Sequence, residues 1–266
     1  MAIHVVGAGG MLGQDTVRAA GGGAVALTRA DLDVTDAAAV REALAGATVI
    51  NCAAYTDVDG SEGDPVGAHA VNEQGARNVA EAAERVLYVS TDYVFDGTKG
   101  EPYVESDPTA PIQEYGRSKL AGERATAAAN PNHLVVRSSW LFGAGGKNFV
   151  ETMLGLAAER DELRVVDDQV GCPTFTGHLA EALVALAQSG ERGILHAAGT
   201  GSCSWFEFAR AILERAEIDC TVQPCTTDEF PRPARRPAYS VLGSERDGPS
   251  LPAWQDGLDA YLGVRA

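Results

Sequence analysis

Tyr115 and Lys119 stand four residues apart in Tyr115-Gly116-Arg117-Ser118-Lys119, and Ser90-Thr91 lies 24 residues upstream of that tyrosine. On a helix, residues four apart share one face about one turn from each other. Delivery of a hydride to a ketone leaves negative charge on oxygen, which needs a proton. A phenol with a pKa of about 10 gives that proton readily, but must be ionised for the reverse reaction. A lysine ammonium beside it is expected to favour the phenolate and move its pKa toward neutrality. Thr91, at the C-terminal end of an expected strand, would donate a hydrogen bond to the carbonyl oxygen. The Tyr–Lys spacing alone also suits a plain solvated helix face. What selects the chemical reading is Ser90-Thr91 together with a glycine turn near the start of the chain.

That turn is Gly7-Ala8-Gly9-Gly10-Met11-Leu12-Gly13, with Gly7, Gly10 and Gly13 at G-x-x-G-x-x-G spacing after a strand and at the opening of a helix. The glycines allow a tight turn, close backbone approach to a pyrophosphate, and helix packing against the strand. The helix N-terminus then offers free N–H groups and partial positive charge to the anion. The second expected strand ends at Leu27, and the first charged residue beyond it is Arg29. An arginine there favours the 2′-phosphate of NADPH, with NADH still possible; the competing reading is a surface loop arginine. Asp33 would contact the adenine side or cap a turn.

The positioning elements are short apolar β-branched runs alternating with Ala-rich helical stretches. Expected strands are Ile3–Val6, Ala24–Leu27, Thr48–Cys52, Val86–Ser90, Leu134–Arg137, Leu163–Val166 and Ile194–His196. Expected helices are Leu12–Ala20, Asp36–Leu44 with Thr35 as cap, Val66–Arg85, Tyr115–Ala129, Phe149–Ala158, Gly177–Gln188 and Ser204–Ala216. Ser204 with Glu207 has capping-box spacing. This alternation predicts an α/β fold, a doubly wound parallel sheet of Rossmann type, with a smaller, discontinuous C-terminal substrate lobe. Residues 1–147 form the dinucleotide-binding domain, to which strands and a helix from about 163–200 return. Residues 148–162 and 201–266 form the lobe, and 223–252 is rich in Pro, Arg and Gly.

The net charge of −16 argues against nucleic acid or an anionic membrane as partner, because both are polyanions. No run of apolar residues is long enough to span a bilayer. The five scattered cysteines and a first strand with no basic leader before it lead us to expect a reduced, cytoplasmic protein. No metal-ligand spacing is present, and nothing in the sequence requires Mg2+. His4, His69 and His196 read as structural.

Four stretches carry a resemblance: Ser90-Thr91-Asp92-Tyr93-Val94-Phe95-Asp96-Gly97, Tyr115-Gly116-Arg117-Ser118-Lys119-Leu120-Ala121-Gly122-Glu123, Val136-Arg137-Ser138-Ser139-Trp140-Leu141-Phe142-Gly143, and Asp168-Gln169-Val170-Gly171-Cys172-Pro173-Thr174. Together with Arg236-Pro237-Ala238-Tyr239-Ser240-Val241-Leu242, the chain resembles the dTDP-4-dehydrorhamnose reductase family of the extended short-chain dehydrogenase/reductase superfamily over nearly its whole length. The resemblance implies Thr91, Tyr115 and Lys119 as the catalytic trio, with Lys119 also at the nicotinamide ribose. It places Asp92, Tyr93, Trp140, Asn148 and Arg236 at the sugar nucleotide, and Gly7, Gly10, Met11, Leu12, Gly13, Arg29, Asp33, Ala53, Ala54 and Tyr55 at the cofactor. Trp140 would alternatively only pack under the sheet edge, and Ala53-Ala54 only serve a close strand–helix contact. Arg232, Arg235 and Arg236 form a dense basic cluster suited to a diphosphate, or else a solvated loop. Tyr239 departs from the family, which more often has Asn there.

The implied reaction is NADPH-dependent reduction of the C4 ketone of a dTDP-activated sugar, dTDP-4-dehydro-L-rhamnose, by a monomer or homodimer. Two other readings compete with it. One is a 4-ketoreductase of another dTDP-sugar, such as a dihydrostreptose synthase. The other is a non-catalytic dinucleotide-binding regulatory subunit, like that of methionine adenosyltransferase. The intact trio with Trp140 favours an enzyme.

Overall fold

The protein is described over residues 2–265 from a computed structural model. The chain runs β1 (Ile3–Val6), α1 (Met11–Ala20), β2 (Ala24–Leu27), α2 (Ala37–Leu44), β3 (Thr48–Asn51), α3 (Val58–Gly63), α4 (Pro65–His69), a π-helical stretch Ala70–Gly75, α5 (Ala76–Ala82) and β4 (Arg85–Thr91). It continues through α6 (Glu114–Ala129), β5 (His133–Ser138), β6 (Leu141–Phe142), α7 (Phe149–Ala157), β7 (Glu162–Val166), β8 (Val170–Gly171), β9 (Thr174–Phe175), α8 (Thr176–Gln188) and β10 (Gly193–His196). Last come β11 (Cys203–Ser204), α9 (Trp205–Arg215), β12 (Thr221–Cys225) and α10 (Trp254–Arg265).

Six strands form one parallel sheet in the order β10-β5-β4-β3-β1-β2. The inner strands are buried on both faces, which is why they read as continuous apolar runs; all seven residues of β4 are buried, while the edge strand β2 exposes Val25 and Ala26. Ile3, Val5, Leu87 and Val89 pack with Leu12 of α1 and Leu179 and Leu183 of α8, while Val6, Val49 and Val86 pack with Val40 of α2 and Val79 of α5. From β1 the chain winds to β2 on one side and onward from β3 on the other, so a crevice opens at the C-terminal ends of β1 and β3. Val6 is in register with both Leu27 and Asn51, and Thr91 with Ser138, so the strand ends that must carry ligands are level.

A second core gathers Phe142, Val150, Leu163, Phe208, Ile212 and Leu258 from β6, α7, β7, α9 and α10. Each fully buried side chain of this size contributes about 1.5–3 kcal/mol, so the lobe holds without staples, and the five cysteines are free thiols. No described helix is long and apolar enough to cross a membrane.

Three expectations need correction. Leu163–Val166 lies in a strand, but β7 pairs with β12 in a separate two-stranded sheet and does not return to the large one. The expected helix Val66–Arg85 is interrupted by the π-helical stretch and ends early. The N–H groups of Glu84 and Arg85 donate to the Ala47 carbonyl, turning Arg85 into β4. The cap of α2 is Asp36 itself, whose carboxylate accepts from the Ala38 and Ala39 N–H groups. The Ser204–Glu207 capping box forms as expected.

Candidate active site

The turn between β1 and α1 is shaped for an anion. Gly7 has φ +78°, and a Cβ on it would lie 2.5 Å from the Ala53 nitrogen, so only glycine lets β1 meet the segment after β3 this closely. A Cβ on Gly13 would overlap the Gly7 carbonyl oxygen and lie 2.8 Å from Ala8 Cα. Gly10, by contrast, would set a Cβ only in ordinary contact with the Gly7 oxygen (3.6 Å) and caps α1 without any side-chain bond, and no acidic residue occupies the first turn. The helix therefore directs unpaired N–H groups into the crevice, and these residues fit a dinucleotide pyrophosphate. Across it, Asn51 Oδ1 accepts from Ala53 N–H (3.1 Å), and Tyr55 N–H donates to Asn72 Oδ1 (2.8 Å).

Asn72 is the residue the π-helical stretch serves. Fully buried, it donates to the Tyr55 carbonyl (3.2 Å) and Ser118 Oγ (2.9 Å), tying the Ala53–Tyr55 segment to α6. Widening of a helix by one residue at such a site is a recurrent use of π-bulges. Arg29 is exposed beyond β2. The carboxylates near it are engaged by their own turns: Asp31 accepts from Thr28 N–H (2.9 Å) and Oγ1 (2.7 Å), and Asp33 from Thr35 N–H (2.9 Å) and Oγ1 (2.8 Å). Those bonds lower both carboxyls below their ordinary value. Asp33 thus caps its own turn through Oδ1.

Thr91 ends β4 with its Oγ1 donating to Asp92 Oδ1 (3.0 Å) and accepting from Tyr93 N–H (3.2 Å). α6 begins at Glu114, where Gln113 caps it through Gly116 N–H (2.6 Å), and this start carries Tyr115 to the end of β4, where the Thr91 hydroxyl acts to lower its phenol. Burial first, and the Asp92 carboxylate second, push the Tyr115 phenol above its ordinary value. Lys119, 2% exposed, donates to the Val89 carbonyl (2.7 Å) and lies 4.1 Å from the centre of the Tyr88 ring. Burial lowers it to about 7. The expectation that Lys119 pulls the Tyr115 pKa down is therefore corrected: desolvation governs the phenol, the Asp92 carboxylate adds to it, and the phenol keeps its proton. Asp92 is also buried, which raises it to about 7 against hydrogen bonds from Ser240 and Thr91, and its Oδ2 has no partner. Tyr239 pairs with Val170 and so delivers Ser240 to this point.

Tyr93 meets Tyr115 edge to face, with ring centres 6.2 Å apart, and lines a cleft of about 740 Å3 between the sheet and the second lobe. The cleft walls carry Lys147, Arg160, Arg164, Arg232 and Arg236, with Phe149, Trp205 and Phe230, and no carboxylate. Asp59, outside the lining, holds Arg236 Nη1 (2.6 Å), Arg232 Nε (3.0 Å) and Ala234 N–H (3.1 Å), while Glu229 holds Arg164 (2.5 Å). Arg235 is exposed and does not line the cleft.

Trp140 has φ +47° and stacks on Trp205 with ring centres 3.4 Å apart, against Gly171, where any Cβ would strike the indole. Its Nε1–H is buried and unpartnered. Asn148 caps α7 through Glu151 N–H (3.0 Å), and its Nδ2 donates to Gly143 O (2.8 Å) and reaches Met11 Sδ (3.7 Å). Its amide braces the glycine loop, and its backbone leads from Lys147 into the cleft-lining Phe149. Asp59, Asn72 and Trp205 were missed in the sequence. An Asn inside an Ala-rich helix and a Trp directly after an N-cap serine were the available signals.

A level parallel sheet, a glycine turn at its switch point and a Thr–Tyr–Lys set at its ligand-bearing edge define a short-chain dehydrogenase/reductase. Within that class the chain belongs to the RmlD substrate binding domain family, which matches residues 1–264. It is similar to a dTDP-4-dehydrorhamnose reductase of Mycolicibacterium smegmatis, 46% identical over 279 residues, 98% of this chain and 85% of that one. Among solved structures it is similar to a dTDP-4-dehydrorhamnose reductase of Clostridium acetobutylicum (TM-score 0.95, 39% identity, covering 100% of this chain and 99% of that one). It is equally similar to the Bacillus anthracis enzyme in complex with NADP (TM-score 0.95, 36% identity, 100% of each).

Proposed function

We propose that the chain reduces the C4 ketone of dTDP-4-dehydro-L-rhamnose to dTDP-L-rhamnose with NADPH. One observation carries the reading: a proton-bearing phenol beside a cleft whose walls hold five cations and no carboxylate, in a protein of net charge −16. Such a wall in such a chain suits a diphosphate, and arginine matches phosphate oxygens two at a time. The same relationship to dTDP-sugar reductases, including one with NADP bound, supports the substrate and the cofactor.

In this reading the reduced nicotinamide supplies a hydride to C4. Thr91 turns its hydroxyl from Asp92 Oδ1 to donate a hydrogen bond to the ketone oxygen, and Tyr115 transfers its phenolic proton there as charge develops. Lys119 holds the nicotinamide ribose and returns a proton toward Tyr115. Gly7, Gly10, Met11, Leu12 and Gly13 receive the pyrophosphate, Ala53, Ala54 and Tyr55 border the dinucleotide, and Arg29 meets the 2′-phosphate. Asp92, Tyr93 and Trp140 face the sugar, Arg236 the diphosphate, and the lobe built on α7, β7, α9, β12 and α10 closes over it. Thr91, Tyr115 and Lys119 come from one chain, so a monomer or a homodimer suffices.

The test is cofactor oxidation followed by nicotinamide absorbance with enzymatically prepared dTDP-4-dehydro-L-rhamnose. Tyr115→Phe should lose about 10²–10⁴-fold in turnover while still binding NADPH. Tight NADPH binding with no turnover on any nucleotide keto-sugar would instead mark a regulatory subunit.

A further inference from the structure

The two contacts of the Lys119 ammonium, a carbonyl and a ring face, carry no full negative charge. A side chain so deeply buried needs more than these, because an isolated buried ammonium gives up its proton. The missing charge stands one turn further along α6. Glu123, 4% exposed, is four residues beyond Lys119 and therefore on the same face of the helix. Its Oε1 accepts from Ser90 Oγ (2.5 Å) and Arg137 Nε (2.9 Å), and its Oε2 from Arg137 Nη2 (2.8 Å). Arg137, on β5 and also buried, lies 5.1 Å from the centre of the Phe95 ring, with Nη1 3.5 Å from His196 Nε2. One bidentate pair thus spans α6, β4 and β5 beside Ser90-Thr91, and the reaction as written makes no use of it.

We propose that Glu123 is a positioning residue of this active site: clamped by Arg137 and Ser90, its carboxylate is the counter-charge of the Lys119 ammonium and fixes the end of β4 that carries Thr91. The proposal rests on the reading of Lys119 as an active-site group. Burial is the largest influence on Lys119, and Glu123 is the foremost charge opposing it, ahead of Cys52 at the end of β3. Apart from the Glu123–Arg137 pair, the groups set around Lys119 here are neutral at pH 7. Burial pushes the Cys52 thiol up to about 12, and raises the phenols of Tyr88 on β4 and Tyr115 on α6. His196 on β10, behind Arg137, is held below its ordinary value by burial, so it too is uncharged there. Asp92 bears on Tyr115, while the charges named for Lys119 are Glu123 and Cys52. Removal of either member of the pair must therefore shift Lys119, in opposite directions. A loss of packing alone would shift it the same way in both variants.

The chain has three lysines, Lys99, Lys119 and Lys147, so side-chain NMR of the full, isotopically labelled protein resolves them, with Lys119→Met for assignment. Glu123→Gln should lower the titration midpoint of Lys119 by about one pH unit or more. Arg137→Met, which frees the carboxylate, should raise it. Glu123→Asp, which keeps the charge, should hold the midpoint near that of the unaltered protein, and carries the test if either of the others fails to fold. The alkaline limb of turnover should move with the midpoint. Midpoints that stay fixed, or that move together in Glu123→Gln and Arg137→Met, overturn the proposal, as does a large shift in Glu123→Asp. Opposite shifts in a protein that turns over no nucleotide keto-sugar uphold the Glu123 assignment and remove the proposed reaction instead.

Discussion

Gly13→Ala and Gly10→Ala add the same methyl group to one turn, and the structure assigns them opposite consequences. At Gly13 the new Cβ overlaps the Gly7 carbonyl oxygen and sits 2.8 Å from Ala8 Cα and 2.9 Å from the Gly7 carbonyl carbon. All three are backbone atoms of a constrained turn, so no flexible side chain can swing away. Overpacking of this kind reaches about 3 kcal/mol, against about 1 kcal/mol that alanine gains over glycine inside a helix. The net loss of about 2 kcal/mol, with an unfolding entropy of about 0.56 kcal/mol/K for 266 residues, lowers Tm by about 3–4 °C. At Gly10, φ is −81° and the only neighbour within 4 Å is the Gly7 oxygen at 3.6 Å, an ordinary contact. The cost there is the poorer N-cap, under about 1 kcal/mol, and Tm should fall by less than about 2 °C. Yet the Gly10 methyl projects where a pyrophosphate would approach, so NADPH affinity should drop about tenfold or more, about 1.4 kcal/mol. Calorimetry gives Tm, and fluorescence titration with NADPH gives Kd. A Gly13→Ala protein as stable as the parent, or a Gly10→Ala protein that binds NADPH unchanged, would refute the assignment of these two glycines.

Arg29→Ala should weaken NADPH about tenfold or more and leave NADH unaffected, because only the former offers a 2′-phosphate to the guanidinium; equal losses in Kd for both cofactors defeat the proposed contact. Asp92→Asn should change the dependence of stability on pH. Asp92 is raised to about 7 in the folded chain and titrates at about 3.9 unfolded, so between those values the unfolded state loses its proton first and the fold loses stability as pH rises. Denaturant unfolding should find the Asn variant gaining on the parent by on the order of a few kcal/mol from pH about 4 to about 7, with no further gain above. A difference independent of pH would show that the carboxyl is not held in its protonated form.

The parallel strands were readable because burial on both faces leaves an unbroken apolar run, as in Val86–Ser90. The same logic, applied strictly, separates Leu163–Val166 from them. β7 alternates exposed Glu162 and Arg164 with buried Leu163 and Val165, the period of a strand with one wet face. Charges at alternate positions were the sign that it belongs to a small outer sheet. Thr91, Tyr115 and Lys119 were readable because one helix turn and one strand end bring them together, and local spacing is visible in a sequence. Asp59, Asn72 and Trp205 were not, since each acts on a partner far along the chain: Asp59 on Arg232 and Arg236, Asn72 on Ser118, Trp205 on Trp140. The interruption of the helix from Val66 has the same origin. Helical periodicity says nothing about a buried amide that must reach Tyr55.

The raised phenol of Tyr115 bears on the direction of the chemistry. A general acid need only be stronger than the alcohol it creates, and a phenol, its charge spread over the ring, is a stronger acid than an aliphatic alcohol. The same shift makes the phenolate rarer, which penalises a base in the oxidative direction. In the proposed reaction Lys119, at about 7, returns a proton toward the Tyr115 phenolate only while it is protonated, so falling Lys119 occupancy above that pH should slow turnover before Tyr115 itself titrates. An alkaline limb near 7 in the reductive direction, absent in Lys119→Arg, is the expected profile. A limb that persists unchanged in Lys119→Arg would place the titrating group elsewhere.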